Sequence, residues 1–129
     1  MNWEKADLLL TDPPYNCCLW YETEEQAKAR NRRTDWLKIK NDLMSKDEFR
    51  QFLVDVFSNA KMVMKKWAVY YIWYSDHESM NFIWAVNDVW LKQSQILIWE
   101  KQSLILWRKD YQYLHEPCLY WWNEWEWHK

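Results

Sequence analysis

A chain of 129 residues, half of them hydrophobic, is long enough to close one domain around a real core and too short for several. Its 17 Lys+Arg against 19 Asp+Glu leave a formal net charge of -2, which excludes a domain that holds nucleic acid by charge alone. The 3 cysteines are an odd number, and no secretory or membrane-spanning apolar run accompanies them, so the expected setting is reduced and cytoplasmic, with no membrane partner.

Met1 to Ala6 reads as a short lead-in, a truncated start. The apolar run that follows is too short for a helix and predicts a buried strand at about Asp7–Thr11. Pro13 and Pro14 stop it, because proline cannot donate to a ladder. The strand thus delivers Asp12, Pro13, Pro14, Tyr15 and Asn16 to one lip of a sheet, and open α/β sheets bind their ligands at that lip. These residue types suit one chemistry. An exocyclic base amine is a poor nucleophile, because its lone pair is delocalised into the ring. The Asp12 carboxylate can accept a hydrogen bond from one amine N–H and the Pro13 carbonyl from the other, which favours a tetrahedral, more nucleophilic nitrogen. Tyr15 can stack on a flipped-out base. The plain alternative is a strand closed by an Asx-Pro turn with a surface tyrosine.

Cys17 to Asp35 has no apolar period and carries Arg30, Arg32 and Arg33. It predicts a long loop, either a flap beside the site or a solvated charge run. Cys17 and Cys18 are adjacent and lack metal-ligand spacing. Ser45-Lys46-Asp47-Glu48 is a capping box. Phe49, Phe52, Leu53, Val56, Phe57, Ala60 and Met64 then form one helical stripe facing the core. The helix is expected to end near Lys65 and Lys66, with Trp67 where a C-cap glycine is wanted. A second strand is predicted at Ala68–Trp73. It brings Asp76 to the same lip as Asp12, and His77 reads as a loop histidine. A second helix is predicted from about Ser79 to Val89, with Phe82, Ile83, Val86 and Val89 on one face. Strands at Gln95–Trp99 and Cys118–Trp122 follow, antiparallel to each other, across a connection holding Arg108. His115, Glu116 and Cys118 lie close together, but their spacing fits no common zinc site and Pro117 interrupts it, so no metal is expected. The fold class expected is α/β.

Asp7 to Asn16 resembles motif IV of the amino-group DNA methyltransferases, and its D-P-P-Y form is closer to the N6-adenine enzymes than to the N4-cytosine ones. The resemblance continues through Leu37-Lys38-Ile39-Lys40-Asn41-Asp42, Leu97-Ile98-Trp99-Glu100-Lys101, Arg108-Lys109-Asp110-Tyr111 and His115 to Tyr120, so it spans nearly the whole chain. Motif IV leads, as in the class whose cofactor half follows its catalytic half. The resemblance implies a Rossmann-like sheet, here residues 1–129 as its catalytic half only. It implies transfer of a methyl group from S-adenosylmethionine to the N6 amine of adenine in DNA. By that resemblance Asp12, Pro13, Pro14 and Tyr15 are catalytic. Asp12 and Asp76 are the candidates for cofactor contact, and Tyr15, Asn16, Arg32, Arg33 and Arg108 for contact with DNA. The glycine-rich cofactor turn and a target-recognition segment are absent from the sequence, so the partners implied are DNA and the missing C-terminal half. A non-catalytic remnant that binds nucleic acid or protein is the alternative, and N4-cytosine methylation a lesser one.

The chain holds 0 glycines and 13 tryptophans, where ordinary usage predicts roughly nine glycines. The resemblance implies glycine near Trp67, Trp84, Trp90, Trp107, Trp121 and Trp125. Trp3, Trp20, Trp36 and Trp127 extend that set, while Trp73, Trp99 and Trp122 look like native tryptophans. UGA encodes glycine in some genetic codes and tryptophan in others, so a translation under the wrong table would write one for the other. TGG codons at Trp67, Trp84 and Trp107 would refute this. The competing reading is an aromatic surface for stacking on bases.

Overall fold

The computed structural model describes residues 4–16, 44–104 and 110–123. Within them the chain is a mixed α/β fold with a four-stranded mixed sheet and two α-helices. Strand β1 is Ala6–Thr11, helix α1 is Lys46–Val63 and strand β2 is Met64–Trp73. A single 3-10 turn at Asp76–Glu78 leads into helix α2, Ser79–Asp88. Strands β3, Gln95–Glu100, and β4, His115–Trp122, complete the sheet. Its spatial order is β1-β2-β4-β3. β1 and β2 run parallel, while β4 is antiparallel to both β2 and β3.

Helix α1 begins as its sequence dictates. The Ser45 Oγ accepts from the Glu48 N–H, and the Glu48 carboxylate accepts from the Ser45 N–H at 3.0 Å. These bonds satisfy donors that the first helical turn leaves open. The Ser45 hydroxyl also donates to the Glu48 carboxylate at 2.7 Å, and this bond, followed by the one from the Ser45 N–H, holds the Glu48 carboxyl below its ordinary range. Phe49, Leu53 and Phe57 form the fully buried stripe. Burying each contributes on the order of 1.5–3 kcal/mol. They meet Phe82, Ala85 and Val86 of α2 over Ala68, Tyr70 and Ile72 of β2 and Leu119 of β4. Both helices therefore cover one face of the sheet.

Among the described residues nothing covers the other face. The register puts Leu8 beside Val69 and Leu10 beside Tyr71, with Tyr120 opposite Tyr71, Cys118 opposite Trp73 and Leu97 opposite Cys118. Side chains alternate along a strand, so these residues share the side away from the helices. Leu8, Leu10, Leu97 and Trp99 are all exposed there.

The expected helix end is corrected. α1 stops at Val63, and Met64 is already extended, its N–H donating to the Lys61 carbonyl. The strand starts at once, so Lys65, Lys66 and Trp67 lie in β2 and no left-handed cap forms at Trp67. Met64 is the last residue of the apolar stripe and is buried from within the strand. The end of α2 does match the glycine expectation. Trp90 has φ 62°, its N–H donating to the Asn87 carbonyl, while the Leu91 N–H donates to the Val86 carbonyl. That pair of bonds is the helix ending that places a left-handed residue just past the C-cap. β4 also starts earlier than expected and runs through Pro117. The Pro117 carbonyl accepts from the Tyr74 N–H beyond the last β2–β4 pair, so the missing donor falls where the β2 ladder has ended. Among the described residues no helix is long and apolar enough to cross a membrane.

Candidate active site at the C-terminal lip of the parallel strands

The topology gathers four chain segments at one lip. β1 and β2 are parallel and end together, with Thr11 beside Ile72. β4 runs the other way and therefore begins there, with Cys118 beside Trp73. β3 returns to the same end, where Trp99 faces Glu116 and Glu100 faces His115. A cleft of about 630 Å³ opens at this lip, lined by Asp12, Tyr71, Trp73, Leu97, Ile98, Trp99, Glu116 and Cys118. It has an aromatic wall and two carboxylates. Trp73 and Trp99 meet edge to face, their ring centres 6.0 Å apart. Glu116 is held by an ion pair with Lys101, both partly buried. Cys118 is buried in the floor, and burial pushes its thiol up to about 11, which keeps it protonated and unreactive.

Asp12 is exposed at the first position after β1, next to the buried Pro13. Tyr15 and Asn16 depart from the cleft. The Tyr15 ring packs against Phe82 of α2, edge to face at 6.5 Å, and Tyr15 is not among the residues that line the cleft. Asn16 is left-handed at φ 52° and only 6% exposed. Its side-chain amide donates to the Met44 carbonyl at 3.0 Å and accepts from the Met44 N–H at 2.8 Å. Asp76 opens the 3-10 turn after β2, and His115 approaches it at 3.4 Å. The phenol of Tyr74 is raised, chiefly by burial and further by the nearby Asp76 carboxylate. Arg32, Arg33 and Arg108 lie outside the described residues, as do Cys17 and Cys18.

Reading the sequence alone missed Glu116 as a cleft residue, together with Tyr71, Trp73 and Trp99 as its wall. The signal for the wall was present in the alternation of β2 and β3. Glu116 had none, because its place depends on which strand lies beside β4.

No family model matches this sequence, and no curated protein matches it at a significant level.

Proposed function

We propose that this chain is the catalytic half of a DNA methyltransferase with a Rossmann-like sheet, acting on the N6 amine of adenine. The observation that carries the reading is Asp12, delivered by a parallel strand to the rim of an aromatic-walled cleft and followed by two prolines. S-adenosylmethionine, when bound, supplies the methyl group from a positively charged sulfonium. The cleft fits that end of it, since Asp12, Glu116 and the rings of Tyr71, Trp73 and Trp99 suit a cation over aromatic faces. Asp12 and Asp76 are the residues that would hold it. Asp12 accepts a hydrogen bond from one N–H of the target amine and draws the nitrogen lone pair out of conjugation. Pro13 presents its carbonyl to the second N–H on a backbone that the ring has fixed. The aromatic wall orients the flat base. After transfer the nitrogen is an ammonium that sheds a proton readily, so the site needs no strong general base.

The test is methylation by a protein in which this chain is joined to a cofactor-binding half, read by mass spectrometry of the digested DNA. N6-methyladenine is expected. Asp12→Ala should abolish it while leaving DNA binding largely unchanged, because the Asp12 bond matters most at the reacting amine. Retained turnover in Asp12→Ala would show that the catalytic group is another. N4-methylcytosine would support the cytosine alternative, and no methylation at all would support the non-catalytic one. The 129-residue chain alone is expected to bind S-adenosylmethionine weakly and to methylate nothing. A micromolar affinity by calorimetry would overturn that.

A further inference from the structure

Glu78 is a buried carboxylate that the proposed chemistry does not use. It is only 5% exposed and precedes α2 directly. One of its oxygens accepts from the Asn81 side-chain amide at 2.6 Å, and the other accepts from the Asn16 amide at 3.5 Å. Asn81, itself buried, also reaches the Lys46 carbonyl at the start of α1 at 3.4 Å. Asn16 holds both backbone groups of Met44, just ahead of the Ser45 cap. The beginnings of both helices and the residue that ends the Asp12 segment therefore meet on one carboxylate.

The segment itself transmits the anchoring. Its first end is fixed by the β1 ladder, where Thr11 pairs with Ile72. Between Thr11 and Asn16 stand Asp12, two prolines with fixed φ, and Tyr15 packed on Phe82. Asn16 sits in a left-handed conformation, which asparagine adopts more readily than most residues with a Cβ, and its bonds to Met44 hold it there. Few torsions remain free between the two anchors, so the second anchor decides where Asp12 stands.

We propose that Glu78 is a positioning residue for Asp12, acting through Asn16. This rests on the reading of Asp12 as the group that meets the target amine. Losing the carboxylate removes one of the three bonds that, among the described residues, hold the Asn16 side chain, leaves Asn16 on Met44 alone, and loosens the Asp12 carboxylate at the cleft.

Amide hydrogen exchange on the 129-residue chain tests this, with the Met44 N–H as the reporter because only the Asn16 side chain covers it in the bonds described. Glu78→Ala should speed exchange at Met44 about tenfold while the central amides of β2 and β4 keep their rates. Asn16→Gly, which tolerates the left-handed backbone, should do the same. The double variant should exchange no faster than either alone, since the two act in series. Glu78→Gln keeps one carbonyl acceptor and should recover part of the protection. Additive effects in the double variant would overturn the proposal, as they would place Glu78 on Asn81 alone. A uniform acceleration across the sheet would overturn it too, by showing a general role in stability. A second measurement links the anchor to the site. Binding of 2′-deoxyadenosine, followed by calorimetry, should weaken about tenfold in Glu78→Ala, and unchanged binding there would defeat the positioning role. If the unaltered chain binds no 2′-deoxyadenosine, the methyl-transfer reading falls, and the exchange data still decide whether Glu78 anchors Asn16.

Discussion

At the scale of single residues, the backbone at position 90 conflicts with the side chain it carries. Trp90 is left-handed and 78% exposed, so its indole contributes little burial in return for the strain. A residue with a Cβ costs about 1–2 kcal/mol there relative to glycine. Trp90→Gly is therefore expected to raise the melting temperature. Trp67 differs, because it lies inside β2 with extended backbone. Trp67→Gly should lower stability by about 0.5–1 kcal/mol, the entropic cost of glycine in a strand. Paired thermal melts of the two variants check both signs, and a stabilising Trp67→Gly would contradict the strand assignment. Tyr15 stands outside the cleft; on the proposed reading its ring turns onto the flipped base, and Tyr15→Ala should weaken that complex by roughly 1–3 kcal/mol. Because Tyr15 also packs on Phe82, the same variant should lower the melting temperature, and a differential measurement with and without DNA separates the two effects.

At the scale of elements, the capping box is the most local of the signals and gives the sharpest expectation. Ser45→Ala removes the acceptor for the Glu48 N–H and should cost about 1 kcal/mol in chemical denaturation. An unchanged midpoint would show that α1 is fixed by packing alone. All four strands and both helices were legible in the sequence, because periodicity and capping are short-range. The end of α1 was not. Lys65 and Lys66 look like helix-ending cations, yet Lys65 pairs across the sheet with Asp7 at 2.7 Å, a partner far away in the chain. The N-terminal reach of β4 was hidden for a similar reason, since Pro117 is tolerable only because β2 has already ended beside it. Of the candidate site, Asp12 was legible from the apolar run and the prolines. Glu116 and Glu78 were not, because a lone glutamate has no local signature and both gain their places from neighbours in space.

At the scale of the whole molecule, the sheet has, among the described residues, two unpaired edges and one uncovered face. β1 and β3 are the outer strands. Leu10 on β1 is 64% exposed and Ile98 on β3 60%. Exposed apolar edge strands are templates for pairing with another chain. The isolated chain should therefore self-associate, and Leu10→Lys with Ile98→Lys should shift it toward monomer in sedimentation velocity without changing its helical content. A monomeric parent chain at the same concentration would show that the edges are protected.

The parallel pairing of β1 with β2 also sets the order in which the molecule assembles. β3 and β4 are separated in the chain only by residues 101–114, and the Lys101 N–H donates to the Leu114 carbonyl. β1 reaches β2 only after the chain has travelled from Thr11 to Met64. Closing the longer loop costs more entropy before any contact is gained, so distant parallel pairing is slow. Pulse-labelled exchange during refolding should find β3 and β4 amides protected before those of β1, and simultaneous protection would refute that sequence of events. The strand that leads to Asp12 is then the last to dock, and a chain still in the act of folding has everything except that corner of the cleft.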